Sequence, residues 1–182
     1  MRRTLTAALA VLSLAGLAAG CGGSSSASEE DPTAAWASGF CSAVTTWTDD
    51  LKGVTSQFND TSNLSQDGLQ SAADDVQSAT QELVDDLKGL GAPDTDSGEE
   101  VRSSIDSLST TLETETSGIQ EAVGAVSGII DIPGAITSIT TSLSAMGTAF
   151  SSTLQTIDDA DVSGELQAAL EDSPECADIS SS

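Results

Sequence analysis

Apolar residues recur every three or four positions through most of the chain after residue 31, and this period constrains the fold more than any other feature. It is the period of an amphipathic α-helix, and no segment shows the two-residue alternation of a strand. Turn-forming residues divide the pattern into four segments of similar length with short connections. The sequence therefore predicts an all-α fold: an up-down-up-down four-helix bundle with a short fifth helix at the C-terminus.

The first two helices carry clear boundary signals. Asp31 and Pro32 suit an N-cap and a first helical residue, and residues 59–63 read as a turn. The second helix is predicted from Ser65 to Leu90, where Gly91 ends it. The apolar stripe of the first helix is Trp36, Phe40, Val44, Trp47, Leu51, Val54 and Phe58.

The third helix is predicted to be the longest, about 33 residues, opening with a capping box at Ser97 and running to Ile130. Its stripe is Val101, Ile105, Leu108, Leu112, Ile119, Val123, Val126 and Ile130. Pro133 separates it from a fourth helix that reaches Ile157. A fifth helix is expected from Gly164 to Glu171.

Composition excludes several functions. The chain has 29 acidic and five basic residues, a formal net charge of −24, so binding to nucleic acid is not expected. It has no histidine and no tyrosine, which removes histidine-activated nucleophiles and imidazole metal sites. We therefore expect no enzyme. The charge itself either keeps the domain soluble or attracts cations and basic partners.

The N-terminus has the layout of an export signal. Arg2 and Arg3 precede an apolar run, and residues 17–21 read Leu-Ala-Ala-Gly-Cys. This stretch resembles the lipobox of bacterial lipoproteins, although Ala18 stands where leucine is usual. The resemblance implies cleavage before Cys21, a diacylglycerol on its thiol, and anchoring at the extracytoplasmic face of the cell membrane. An ordinary secretory signal is the alternative.

The predicted organisation is a signal peptide at 1–20, a lipidated cysteine and flexible tether at 21–31, a helical domain at 32–176, and a disordered tail at 177–182. The domain resembles helical lipoproteins of actinobacteria in its Phe40-Cys41 pair and its late Pro174-Glu-Cys176, a resemblance that implies no activity. With Cys21 lipidated, Cys41 and Cys176 are left to form a disulfide at the tether end of the bundle.

Residues 159–166 resemble the first half of an EF-hand loop. Asp159, Asp161 and Ser163 hold the positions of its first three ligands, and Gly164 that of its turn. The twelfth position is Leu170 instead of a bidentate glutamate. Calcium is therefore not expected as a cofactor, and a helix linker capped by Asp161 or Ser163 is the simpler interpretation.

The segment 122–157 holds a single charged residue, Asp131, in an otherwise acidic chain. It is either a partner surface kept free of charge or a solvated face of the bundle. The partner surface would include Gly124, Gly128, Ser138, Thr141 and Ser142, with the glycines spaced for close helix approach.

The sequence leads to two functional hypotheses. The first is a membrane-anchored, non-enzymatic binding or scaffold protein that meets another envelope protein. The alternative is a solute- or cation-binding lipoprotein associated with a transporter. A pocket between the third and fourth helices would favour the alternative, and a flat hydroxyl-bearing face would favour a protein partner.

Overall fold

The fold is all-helical in a computed structural model that describes residues 31–57 and 65–177. These residues form five α-helices followed by a short 3-10 turn at Pro174–Cys176, and no strand occurs among them. The helices are α1 Pro32–Gln57, α2 Gln66–Leu90, α3 Gly98–Gly124, α4 Ile132–Ala160 and α5 Glu165–Asp172. None of the helices in this part of the chain is long and apolar enough to cross a membrane.

Side chains and glycine fix the starts of α1 and α2 and the end of α2 where the sequence predicted them, whereas Phe58 and the predicted turn at residues 59–63 lie outside the described residues. The Asp31 carboxylate accepts a hydrogen bond from the Thr33 N–H at 3.0 Å. The Ser65 hydroxyl accepts one from the Gly68 N–H at 3.1 Å. Gly91 adopts φ 68°, a conformation that costs other residues energy, and ends α2.

The third helix is shorter than predicted. It ends at Gly124 after 27 residues, so the 29-residue α4 is the longest described helix. Ile130 was wrongly placed in its apolar stripe and is exposed in the α3–α4 turn. Ser97 precedes α3 but makes no side-chain cap, so the predicted capping box is also wrong.

Each long helix packs against the next one along the chain, and the C-terminal elements lie on α1. The start of α1 meets the end of α2, where the Trp36 indole N–H donates to the Gly91 carbonyl at 3.0 Å. The first half of α2 meets the last turns of α3, where the Gln120 amide donates to Asp74 at 3.4 Å.

A row of aromatic rings joins α1 to α4 through the core. Phe40 stacks on Trp36 at 5.3 Å and on Phe150 at 6.3 Å between ring centroids, and Trp47 lies 6.5 Å from Phe150. The Trp47 indole N–H donates to the buried Thr80 hydroxyl at 3.3 Å, which satisfies its polar atom inside the core. The aromatic residues of α1 are therefore core residues, as their helical spacing indicates.

Candidate functional site

Cys41 and Cys176 lie at disulfide-bonding distance, as the cysteine count predicts. Their Cα atoms are 5.0 Å apart across a sequence separation of 135 residues, and both side chains are buried. The bridge fastens the C-terminal elements to α1, and the Thr45 hydroxyl adds a bond to the Glu175 carbonyl at 3.4 Å. We call residues 161–177, which follow α4 and lie on α1, the C-terminal strap.

Two carboxylates among the described residues are held in the ionised state by hydrogen bonds. The pKa of Glu175 is lowered by its own backbone N–H and by the Ser173 and Ser38 hydroxyls. The pKa of Asp131 is lowered by the backbone N–H and hydroxyl of Ser127 and by the Gly128 N–H. A general acid needs its proton near neutral pH, so neither carboxylate suits that role.

The calcium-like loop is organised around Asp161. This nearly buried carboxylate accepts from the Gln167 backbone N–H at 2.7 Å and from the Ser163 hydroxyl at 3.2 Å. It therefore caps the first turn of α5, the role given by the simpler interpretation. Over residues 31–57 and 65–177, no three acidic, cysteine or histidine side chains gather into a group that could hold a metal ion. That Asp159, Asp161 and Ser163 bind no calcium stays a prediction.

The proposed partner surface is mostly exposed. Gly124, Gly128, Ser138 and Thr141 are open to solvent, and Ser142 is half-buried. A Cβ built on either glycine would meet no atom within 4 Å, so no described helix makes the close approach expected from their spacing. Their use by a partner stays a prediction.

Most of the exposed hydroxyls of α4 donate their protons within the helix. Thr137 donates to the Pro133 carbonyl at 2.9 Å, and Thr141 donates to the Thr137 carbonyl at the same distance. The same bond is made by Thr140, Ser144, Thr148, Ser151 and Thr156. From Pro133 to Ile157, the outward face of α4 therefore offers methyl groups and oxygen lone pairs without charge.

The α3–α4 turn carries a feature that the periodicity concealed. Ile129 and Ile130 are 81% and 86% exposed, in contrast to the isoleucines at 105, 119 and 139, which are buried in the core. Asp131 orders the turn by accepting the Ser127 N–H at 3.1 Å, the Ser127 hydroxyl at 2.9 Å and the Gly128 N–H at 3.1 Å. We call Ile129 and Ile130 the apolar tip. The sequence signal for this turn was Asp131, the one charged residue in the segment 122–157.

A groove of about 470 Å³ lies between α3 and α4. It is a trough in the surface, floored by the buried Leu108 and Thr153. Its walls carry Glu100, Ser103, Ser104, Ser107, Thr111, Ala149, Ser152 and Thr156. The α3–α4 seam thus combines a groove with a hydroxyl-bearing face, the two features that were expected as alternatives from the sequence.

The predicted lipidation site, Cys21, lies outside the described residues, together with the signal peptide, residues 21–30 of the tether and residues 178–182 of the tail. The chain matches no protein-family model, no curated protein and no solved structure in the comparisons made with each.

Proposed function

We propose that this chain is a lipid-anchored protein of the extracytoplasmic membrane face whose helical domain is a non-enzymatic binding or scaffold module. The lipobox-like segment ending at Cys21 supports the anchor, and exported location suits the Cys41–Cys176 pair. We further propose that α1 to α4 form an up-down-up-down bundle. This arrangement is supported by the contacts of Trp36 with Gly91 and of Gln120 with Asp74, each of which joins opposite ends of successive helices.

The observation that carries the binding role is the apolar tip. Two adjacent isoleucines exposed above 80% leave apolar surface in water, and a turn fixed by three hydrogen bonds presents them in one conformation. In the proposed bundle the tip lies at the end opposite residue 31. A helix of 26 residues is about 39 Å long, so the tip would project that far from the tether.

The kind of partner follows from the surroundings of the tip. Asp131 is the one charged residue between 122 and 157, so the α4 surface that follows it is uncharged as far as Ile157, whereas the chain as a whole carries −24. This charge repels anionic lipid headgroups and nucleic acid. It also disfavours self-association, because two copies that each carry −24 would repel one another. A protein of the cell envelope with an apolar pocket, bordered by neutral or basic groups, fits the tip best.

The alternative, a solute- or cation-binding lipoprotein associated with a transporter, is supported by the groove between α3 and α4. Its volume lies within the range of small-molecule sites, but it has no aromatic wall and little enclosure. The ordered apolar tip has no evident use in a solute- or cation-binding protein, so we place this alternative second.

Site-specific photo-crosslinking in cells tests the binding role. A photoreactive residue at Ile130 should form an adduct with one envelope protein, and the same residue at Val162 is the matched control. Val162 is 95% exposed but lies beyond the far end of α4. Identical adducts at both positions, or none at Ile130, would contradict the proposal.

Anchoring has a separate test. Cys21→Ala should release the protein into the medium or leave an uncut precursor, because the acyl chains supply the membrane affinity. Membrane-bound protein of normal mature mass in this variant would mean that the lipobox interpretation is wrong.

A further inference from the structure

A small cleft between α2 and α3 is separate from the apolar tip and from the α3–α4 groove. Its volume is about 170 Å³. The α2 wall carries Gln77, Thr80, Gln81, Val84 and Asp85, and the α3 wall carries Glu113, Thr116 and Ser117. The cleft is below the size of drug-like ligand sites, so it suits a solute of a few heavy atoms.

Two side-chain bridges between α2 and α3 lie at the ends of the cleft. The Gln120 amide donates to the Gln77 side-chain oxygen at 3.5 Å, and Lys88 pairs with Glu113 at 3.1 Å. Gln81 and Asp85 lie between these bridges on α2. The hydrogen bond and the ion pair therefore bound the cleft at its two ends along the α2–α3 seam.

Thr116 provides a second, independent observation. Its side chain is 6% exposed, and its buried hydroxyl has no hydrogen-bond partner among the described residues. On the same helix, Thr110, Thr114 and Ser117 each donate to the carbonyl four residues earlier. A buried hydroxyl left without a partner is unfavourable. Ser109 on α3 shares this property, but only Thr116 lines the cleft, where a bound group would give its oxygen a partner. Threonine in a helix uses two χ1 rotamers, which lets the hydroxyl turn toward a guest.

We propose that this cleft binds a small primary ammonium compound. Lys88 compensates Glu113, which leaves Asp85 as the carboxylate that a cationic guest would neutralise. An ammonium group has three N–H donors, which match the Asp85 carboxylate, the Gln81 amide oxygen and the Thr116 hydroxyl oxygen. Val84 offers an apolar wall to a short alkyl body.

Competing ligand classes fit less well. The net charge of −24 disfavours anions. The cleft has two carboxylates and otherwise neutral oxygen atoms, and the described residues hold no metal-binding group of three. Calcium takes about six to eight oxygen ligands, and one of the two carboxylates of the cleft, Glu113, is already paired with Lys88. This inference does not depend on the proposed protein partner, and either can fail alone.

The test is a titration of the ¹⁵N-labelled exported protein with propylammonium chloride, followed by NMR. A ligand of four heavy atoms binds no tighter than about 40 µM, so the titration should extend to tens of millimolar. We expect saturable shifts of the amide signals of Val84 and Thr116 beyond those caused by sodium chloride at equal ionic strength. Propan-1-ol, the neutral analogue, should cause no saturable shift.

Three variants sharpen the test. Thr116→Val, which preserves shape and removes the hydroxyl, should weaken binding about tenfold, and Asp85→Asn should do the same by removing the charge. Ser109→Ala is the matched control, because the Ser109 hydroxyl is also buried without a partner on α3 but does not line the cleft. Its affinity should stay within about twofold of the parent.

The proposal is overturned if propylammonium causes no saturable shift, which means that the cleft holds water only, or if propan-1-ol binds as well as propylammonium. It is also overturned if Thr116→Val leaves the affinity unchanged, or if Ser109→Ala weakens binding as much as Thr116→Val does. Unfolding does not obscure these results, because Thr116→Val removes an unpartnered buried hydroxyl and Asp85 is exposed.

Discussion

Removing the Cys41–Cys176 bridge should strongly destabilise this fold. The bridge closes a loop with a sequence separation of 135. In the chain-entropy model, a loop of this length stabilises the native state by about 5 kcal/mol, because it restricts the unfolded chain. Stabilities of whole domains lie between about 5 and 15 kcal/mol, so the double variant Cys41→Ala/Cys176→Ala should be marginal or unfolded at 37 °C.

The assay is urea denaturation of the parent and the double variant, followed by tryptophan fluorescence from the buried Trp36 and Trp47. The midpoint should fall, and the dependence of unfolding free energy on urea should steepen, because the uncrosslinked unfolded chain exposes more surface. Cys41→Ala alone is the control for the packing of the Cys176 side chain, which it retains as a free thiol. It should match the double variant within about 1 kcal/mol, because both lack the bridge and differ only at Cys176.

Two results would refute this reasoning. A loss below about 1 kcal/mol in the double variant would show that the bridge does not restrict the unfolded chain as the model requires. Two free thiols in the exported parent protein, found by non-reducing peptide mapping, would show that the bridge does not form.

Three further predictions concern the core, the turn and the acidic surface. Leu112→Ala, at a side chain with 0% exposure, should lower the unfolding free energy by about 3 kcal/mol, whereas the exposed Thr110→Ala should change it by less than about 0.5 kcal/mol in the same urea assay. The folded pKa of Asp131 lies below its ordinary value of 3.8, so its stabilisation is complete above that value and is lost as pH falls through the lower folded pKa. The melting-temperature difference between the parent and Asp131→Asn should follow this course; a difference that grows on acidification would contradict it. Sodium chloride should raise the melting temperature by screening the charge of −24, and calcium at equal ionic strength should act alike. An excess effect of calcium that Asp161→Ala abolishes would instead establish the EF-hand-like loop as a site.

Local signals determined how well the helices could be predicted from sequence. The starts of α1 and α2 follow from Asp31 and Ser65, whose side chains cap the adjoining turn, and the end of α2 follows from Gly91. The end of α3 did not follow. Val126 is buried and continues the apolar period beyond the helix, while the carboxylate of Asp131 captures backbone N–H groups that a helix would have used.

The candidate sites were less predictable than the helices, because they depend on which side chains meet across helix seams. The stripe of α3 passes from Leu112 to Ile119, and nothing in this period indicated that the Thr116 hydroxyl between them would lack a partner. The apolar tip was missed for the opposite reason, since Ile130 fits the helical period and only the turn exposes it. The cysteine pair was predictable, because parity restricts the choice once Cys21 is assigned to lipid.

The bridge also determines how this domain would respond to mechanical force. A pull applied at residues 31 and 177 loads α1 only as far as Cys41, because the load then crosses directly to Cys176. The intervening segment of the chain carries no tension, and only residues 31–41 and those after 176 can extend. Stretched between its ends, the domain would behave as a short, nearly inextensible link, and reduction of one bond would add the contour length of the whole bundle.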